Sequence, residues 1–182
     1  HEPWDVPYHR LDDKILNAFA YTDHSVACMV DSLRRLPQWD NLLVVMFPYH
    51  GYLYRQGYDD PGFFRAPMLW MGGALREPRR MDVLMNQSDL AATLLSQMGI
   101  DVSEFEFSRN IFAADQPRFG FWSYNNGFGL ISKDGYIRHN LTNDTTTECE
   151  AAAQISADSL RSAYERQGKA IVQSLHNDLI RR

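Results

Sequence analysis

Leu42-Leu43-Val44-Val45-Met46-Phe47-Pro48-Tyr49-His50-Gly51, residues 42–51, is the stretch on which the fold of this chain turns. Its apolar part does not alternate, is β-branched at its centre and is too short for a helix, so it predicts a strand covered on both faces. Proline ends the run. A histidine and a glycine follow at the strand's carboxyl end, where ligands collect in open α/β sheets. Gly51 allows the backbone to turn sharply and to approach a bound group. Taken alone, a histidine in this position is a weak signal, since a lone histidine after a strand is more often a hydrogen-bonded structural residue than a ligand.

The flanking sequence extends the pattern. Residues 1–10, with two prolines and two tryptophan or tyrosine rings, read as an irregular loop. Asp12 and Asp13 then suit the first turn of a helix, and Ile15, Phe19, Val26, Val30 and Leu33 recur at helical spacing until Pro37, which predicts an amphipathic helix over 12–36. Beyond the 51–64 loop, Pro67-Met68-Leu69-Trp70-Met71 before Gly72-Gly73 predicts a second buried strand. Ser88 is placed to cap a helix to Met98, with Leu90, Leu94, Leu95 and Met98 inward and Gly99 as its stop. Helix, strand, loop, strand, helix is the order of an α/β layered domain.

From residue 118 the texture changes. Short aromatic runs are separated by Asn125-Asn126-Gly127 and Lys133-Asp134-Gly135, which are hairpin signals, so an antiparallel meander is expected. Residues 140–154, rich in Thr, Asn and Ala, read as a connector. A last helix is expected from Ser156, with Leu160, Tyr164, Ile171, Leu175 and Leu179 on one stripe and Gly168 weakening its middle. The division that follows is 1–112 for the α/β part and 113–182 for the meander and last helix, the second packed on the first.

Composition narrows the function. A chain of 182 residues, 45% hydrophobic, can bury a sizeable core, and a net charge of −5 argues against nucleic-acid binding, which needs a basic surface. No apolar run reaches the roughly 18–20 residues of a membrane span, so the chain as given is expected to be soluble. Cys28 and Cys149 are far apart, in no metal-ligand spacing, and read as two buried thiols. The opening His1-Glu2-Pro3-Trp4-Asp5-Val6-Pro7 lacks a methionine, which leads to the expectation of a piece of a longer protein.

Other candidate groups stand alone. Ser25, Ser88 and Ser123 have no Gly-x-Ser-x-Gly context. Asp23-His24 falls inside the first helix, where a solvent-facing role is expected, and Asp59-Asp60 reads as a solvated turn. Tyr52, Tyr54 and Tyr58 either line a cleft or pack the loop. His9, His139 and His176 sit in polar settings that predict surface positions.

Several separated stretches, taken together, carry a resemblance. HEPWDVP (1–7), YTDHSV (21–26), WDNLLVVMFPYHG (39–51), APMLWMGGAL (66–75), QSDLAATLLSQMGI (87–100), FSRNIF (107–112) and FWSYNNGFGLI (121–131) resemble, in order and spacing, the C-terminal half of the lipoteichoic-acid-synthase-like, or phosphoglycerol-transferase-like, sulfatases of the alkaline phosphatase superfamily. The resemblance implies a three-layer α/β/α fold and a covalent nucleophile that takes a phosphoryl or sulfuryl group and passes it to water or an alcohol. It implies a divalent metal, manganese or magnesium in the transferases and calcium in other sulfatases. It also places the intact relatives outside the bacterial cytoplasmic membrane, anchored by N-terminal helices.

Residue by residue, His50 matches the histidine of the family's Asp-His-Gly metal pair, and Tyr49 stands where the aspartate belongs. A hard cation favours carboxylate oxygens, and a neutral phenol supplies neither their charge nor a ligand at neutral pH. His1 matches a histidine that contacts the substrate's phosphate or sulfate, and Arg65 lies where relatives carry an active-site histidine, so both are candidate substrate-binding residues. The nucleophile and an acidic metal ligand belong to the N-terminal half, so no catalytic residue is assigned in this chain and that half is its expected partner. The alternative is a non-catalytic binding or scaffolding domain that lost the metal aspartate at Tyr49. Strands left without partners predict self-association. Asn140-Leu141-Thr142 and Asn143-Asp144-Thr145 match the glycosylation acceptor pattern, treated in such a bacterial context as chance.

Overall fold

The structure is a computed structural model and describes residues 6–52, 54 and 60–182. The chain forms two compact units, residues 1–80 and 81–182.

In the first unit, helix α1 spans Lys14–Leu33. It starts where the Asp13 carboxylate accepts hydrogen bonds from the backbone N–H of Ile15 (2.8 Å) and Leu16 (3.1 Å), which satisfies donors that the first turn leaves open. Asn17, buried one position into the stripe, fixes the incoming chain: its Oδ1 accepts from the N–H of Arg10 and Leu11, and its Nδ2 donates to Leu11 O. Strands β1 (Val44–Met46) and β2 (Leu69–Met71) pair antiparallel with Val45 opposite Trp70. Both expected strands are present, but neither is covered on both faces. Their residues are half-buried and Leu69 is 54% exposed, because among the described residues each strand has a single neighbour.

Helix α2 (Asp89–Gln97) opens the second unit. Its start differs from the expected one: Ser88 makes no side-chain capping bond, and the Asp89 carboxylate instead accepts from the Asn86 N–H at 2.7 Å. The buried stripe is Asp89, Ala92 and Thr93, while the leucines are half-buried and Met98 is exposed. Polar residues occupy the buried positions because the 108–111 segment lies against this face. Ser108 Oγ accepts from Ala92 N, Thr93 Oγ1 donates to Arg109 O, and the Ile111 N–H donates to Thr93 Oγ1.

The meander is a four-stranded antiparallel sheet in the order β3 (Phe119–Tyr124), β4 (Gly127–Ser132), β5 (Gly135–Asn140), β6 (Thr145–Ala151). Both signalled hairpins form, and Gly135 takes φ +137°, which a side chain would resist. The expected connector at 140–154 instead contains β6, paired to β5 from Thr145 opposite Asn140 to Ala151 opposite Gly135. Its threonines are β-branched and suit an edge strand, a propensity that the local polarity obscures.

Helix α3 (Ala157–Arg181) packs on one face of the sheet, burying Phe128, Leu130, Ile137, Leu160 and Tyr164 together. The stripe is shorter than expected, since Leu175 and Leu179 are exposed. Gly168 is a contact point: a Cβ there would lie 1.9 Å from Phe128 Cε2, so the helix approaches the ring only because this residue has no side chain. The cysteines also depart from expectation, Cys28 being exposed and Cys149 half-buried.

Candidate functional site

The site grows from the end of β1. Pro48 cannot donate to a ladder, and the chain bends through Tyr49 and His50 to Gly51. Gly51 packs so closely against the next turn that a Cβ on it would fall 1.7 Å from the carbonyl oxygen of Phe63. That turn, Pro61–Phe64, is held by Asp60, whose Oδ1 accepts from the Gly62 N–H at 2.7 Å, and it closes where Arg65 N donates to Gly62 O at 3.0 Å. Asp60 therefore serves as a cap.

His50 is exposed, and its Nδ1 lies 2.5 Å from the carbonyl oxygen of Gly51. A carbonyl only accepts, so Nδ1 carries the proton, and in the neutral ring Nε2 is left with its lone pair. A backbone carbonyl that fixes the tautomer in this way is the usual second partner of a ligating histidine. The chemistry open to His50 is accordingly that of a ligand, a hydrogen-bond acceptor or, when charged, a donor through Nε2.

Tyr49 is 70% exposed, and its ring meets that of His50 edge-on at a centroid distance of 4.1 Å. These two residues do not fit a hard divalent cation on their own, since one imidazole and one neutral phenol bring no carboxylate. Among the described residues no group of three or more His, Cys, Asp or Glu side chains converges as a metal site.

Arg65 is exposed beside the Pro61–Phe64 turn, and His1 lies outside the described residues. Tyr52 and Tyr54 pack against α1: Tyr52 meets Phe19 edge-on at 5.6 Å, and the Tyr54 hydroxyl donates to Asp13 Oδ2 at 3.3 Å. Tyr58 and Asp59 lie outside the described residues. Asp23 and His24 are exposed on α1, where His24 stacks on Tyr8 (5.7 Å) and lies 3.7 Å from Cys28 Sγ.

Two polar clusters in the second unit were not expected. Asp89, 0% exposed, accepts from Arg109 N, Nε and Nη2, and the same guanidinium donates to Pro117 O and Phe119 O while lying over the Phe119 ring. Every group in this clamp is paired, and it joins α2 to the start of the meander. His139, expected at the surface, is 0% exposed, with Nε2 3.0 Å from Asp144 Oδ1 and Nδ1 3.0 Å from Thr146 Oγ1. Lys169 and His139 hold the Asp144 carboxyl below its ordinary range. The strand alternation that places Ile137 inward also places His139 inward, which was the legible signal.

The whole chain shares an architecture with a solved protein of the alkaline phosphatase superfamily from Vibrio parahaemolyticus: TM-score 0.70, 17% identity, covering 98% of this chain and 47% of that one. At that identity the likeness shows the fold alone, α/β with antiparallel sheets and a C-terminal helix. The chain belongs to the sulfatase family, whose model matches residues 4–100, a span that includes α1, both strands of the first unit, His50 and α2. No curated protein matches the chain. The chain spans about half the length of the solved structure it matches.

Proposed function

We propose that this chain supplies the histidine-bearing half of a phosphoglycerol-transferase-like sulfatase domain acting on sulfate or phosphate esters. The observation that carries the reading is His50, set after β1 with Nδ1 committed to Gly51 O and Nε2 available. In this reading Nε2 is one ligand of a divalent cation, manganese or magnesium, whose remaining carboxylate ligands and the covalent nucleophile come from chain outside these residues. That chain is the expected partner. Arg65 and His1 contact the charged ester group, and the intact protein works outside the bacterial cytoplasmic membrane, anchored there by other segments. Among the described residues no helix is long and apolar enough to cross a membrane.

Tyr49 favours a second reading, a domain that keeps the fold and binds without turning over substrate. A phenol in the aspartate position withdraws one negative charge from the cation. Calorimetric titration of the full-length protein with manganese separates the two. Stoichiometric binding that His50→Ala weakens tenfold or more supports the enzyme, whereas no binding until Tyr49→Asp is introduced supports the binding domain. Binding indifferent to His50 removes the basis of both. Sedimentation of the 182-residue chain alone is expected to show dimers or larger species.

A further inference from the structure

The His139 cluster has no part in the proposed ester chemistry, yet it places a fully buried titratable group among polar and charged groups from three elements. Asp144 lies on the β5–β6 turn, Thr146 on β6, and Glu165 and Lys169 on α3. Phe128 from β4 lies over the imidazole at a centroid distance of 5.3 Å, and the Tyr124 hydroxyl from β3 donates to the His139 carbonyl at 2.9 Å. Lys169 Nζ meets Asp144 Oδ1 at 2.5 Å, the Thr146 hydroxyl donates to Glu165 Oε1 at 2.5 Å, and Glu165 Oε1 is 3.7 Å from His139 Nδ1.

Counting protons in this network leaves little freedom. An ionised Asp144 can only accept, so Nε2 must donate to it. Thr146 has one hydroxyl proton, which goes to Glu165, so its oxygen accepts from Nδ1. Both ring nitrogens then donate, which only an imidazolium can do. Two cations, His139 and Lys169, balance two carboxylates, Asp144 and Glu165, so the buried charge is paired.

The geometry points to His139 as a buried imidazolium that ties α3 to β5 and β6, so that docking of α3 is linked to the binding of one proton. Removing that proton sets the Nδ1 lone pair against Thr146 Oγ1, or turns the Thr146 proton to the ring and its oxygen lone pairs to Glu165. Either way one charge-assisted link between the sheet and α3 is lost. Docking of α3 is therefore expected to weaken when the ring loses that proton, because the link lost is one the sheet shares with α3.

The test uses the full chain, labelled with ¹⁵N, followed in one pH series by the ring-nitrogen signals of His139 and by amide exchange along α3. The expected result is a doubly protonated ring on the acid side and a common midpoint, with protection in α3, taken relative to the intrinsic exchange rate at each pH, falling roughly tenfold as the proton leaves. Thr146→Val should uncouple the two signals. Glu165→Gln, which keeps the shape and removes a charge, should move the common midpoint to lower pH. A singly protonated ring with α3 still protected throughout, or two signals with separate midpoints, overturns the inference, as does an unmoved midpoint in Glu165→Gln.

Discussion

Two histidines mark the difference between the two units. His50 follows a three-residue strand with, among the described residues, a single neighbour; it is exposed, and its Nδ1 meets the Gly51 carbonyl. His139 lies in the third of four paired strands, is fully buried, and is held through both ring nitrogens. The second unit closes its own core around Phe128, Leu130 and Ile137, while the buried residues of α1 are only Asn17 and Ala18. Burial is therefore concentrated in the second unit, while the candidate histidine of the first lies on an exposed loop.

The largest blow to this contrast is expected from Asp89→Ala. It strands the Arg109 guanidinium, whose side chain is 14% exposed, and should cost the second unit about 3–5 kcal/mol in denaturant unfolding. A loss below about 1 kcal/mol would show the clamp to be incidental. Gly168→Ala comes next. Alanine gains about 1 kcal/mol in helix propensity, yet the clash with Phe128 should leave a net loss of about 1–3 kcal/mol, and a net gain in melting temperature would mean that α3 shifts freely.

In the first unit Asp13→Ala should cost about 1 kcal/mol through the lost cap, read as faster amide exchange over the first turn of α1. Tyr49→Asp should change stability by less than about 0.5 kcal/mol, as its site is exposed, and act on cation binding alone. A large melting shift in this variant would erase the distinction drawn between the units.

The smallest effect is acid loss of the Asp144 contacts. Lys169 and His139 lower its carboxyl below 3.8, so its contribution is present above that value and disappears as pH falls through the folded-state titration. Titration by carbon NMR checks the direction. A carboxyl that titrates above 3.8 would mean that these contacts do not form in solution.

Elements whose cause is local were readable from sequence. The stripe from Ile15 to Leu33 marks α1 because four of its members, Ile15, Val26, Val30 and Leu33, do turn inward, and Asn126-Gly127 and Asp134-Gly135 mark hairpins whose conformation those residues favour. What depends on a distant partner was not. Asp89 lies deepest in α2 only because Arg109 meets it, Gly168 is set by a ring forty positions earlier, and β6 reads as polar until β5 lies beside it. At the candidate site, the resemblance singled out His50 and Arg65 as expectations, but the tautomer of His50 and the packing of Tyr52 and Tyr54 depend on atoms that no spacing reveals.

The close seat of Gly51 on the Phe63 carbonyl has a consequence for how this part of the chain can vary. It holds the chain just after His50 against the chain just before Arg65, a clasp between two points of the sequence. Loop closure in general costs only about 0.6 kcal/mol more per doubling of length, whereas any side chain at such a clasp would force its halves apart. A side chain at position 51 would therefore separate the end of β1 from the Pro61–Phe64 turn, and with it His50 from Arg65.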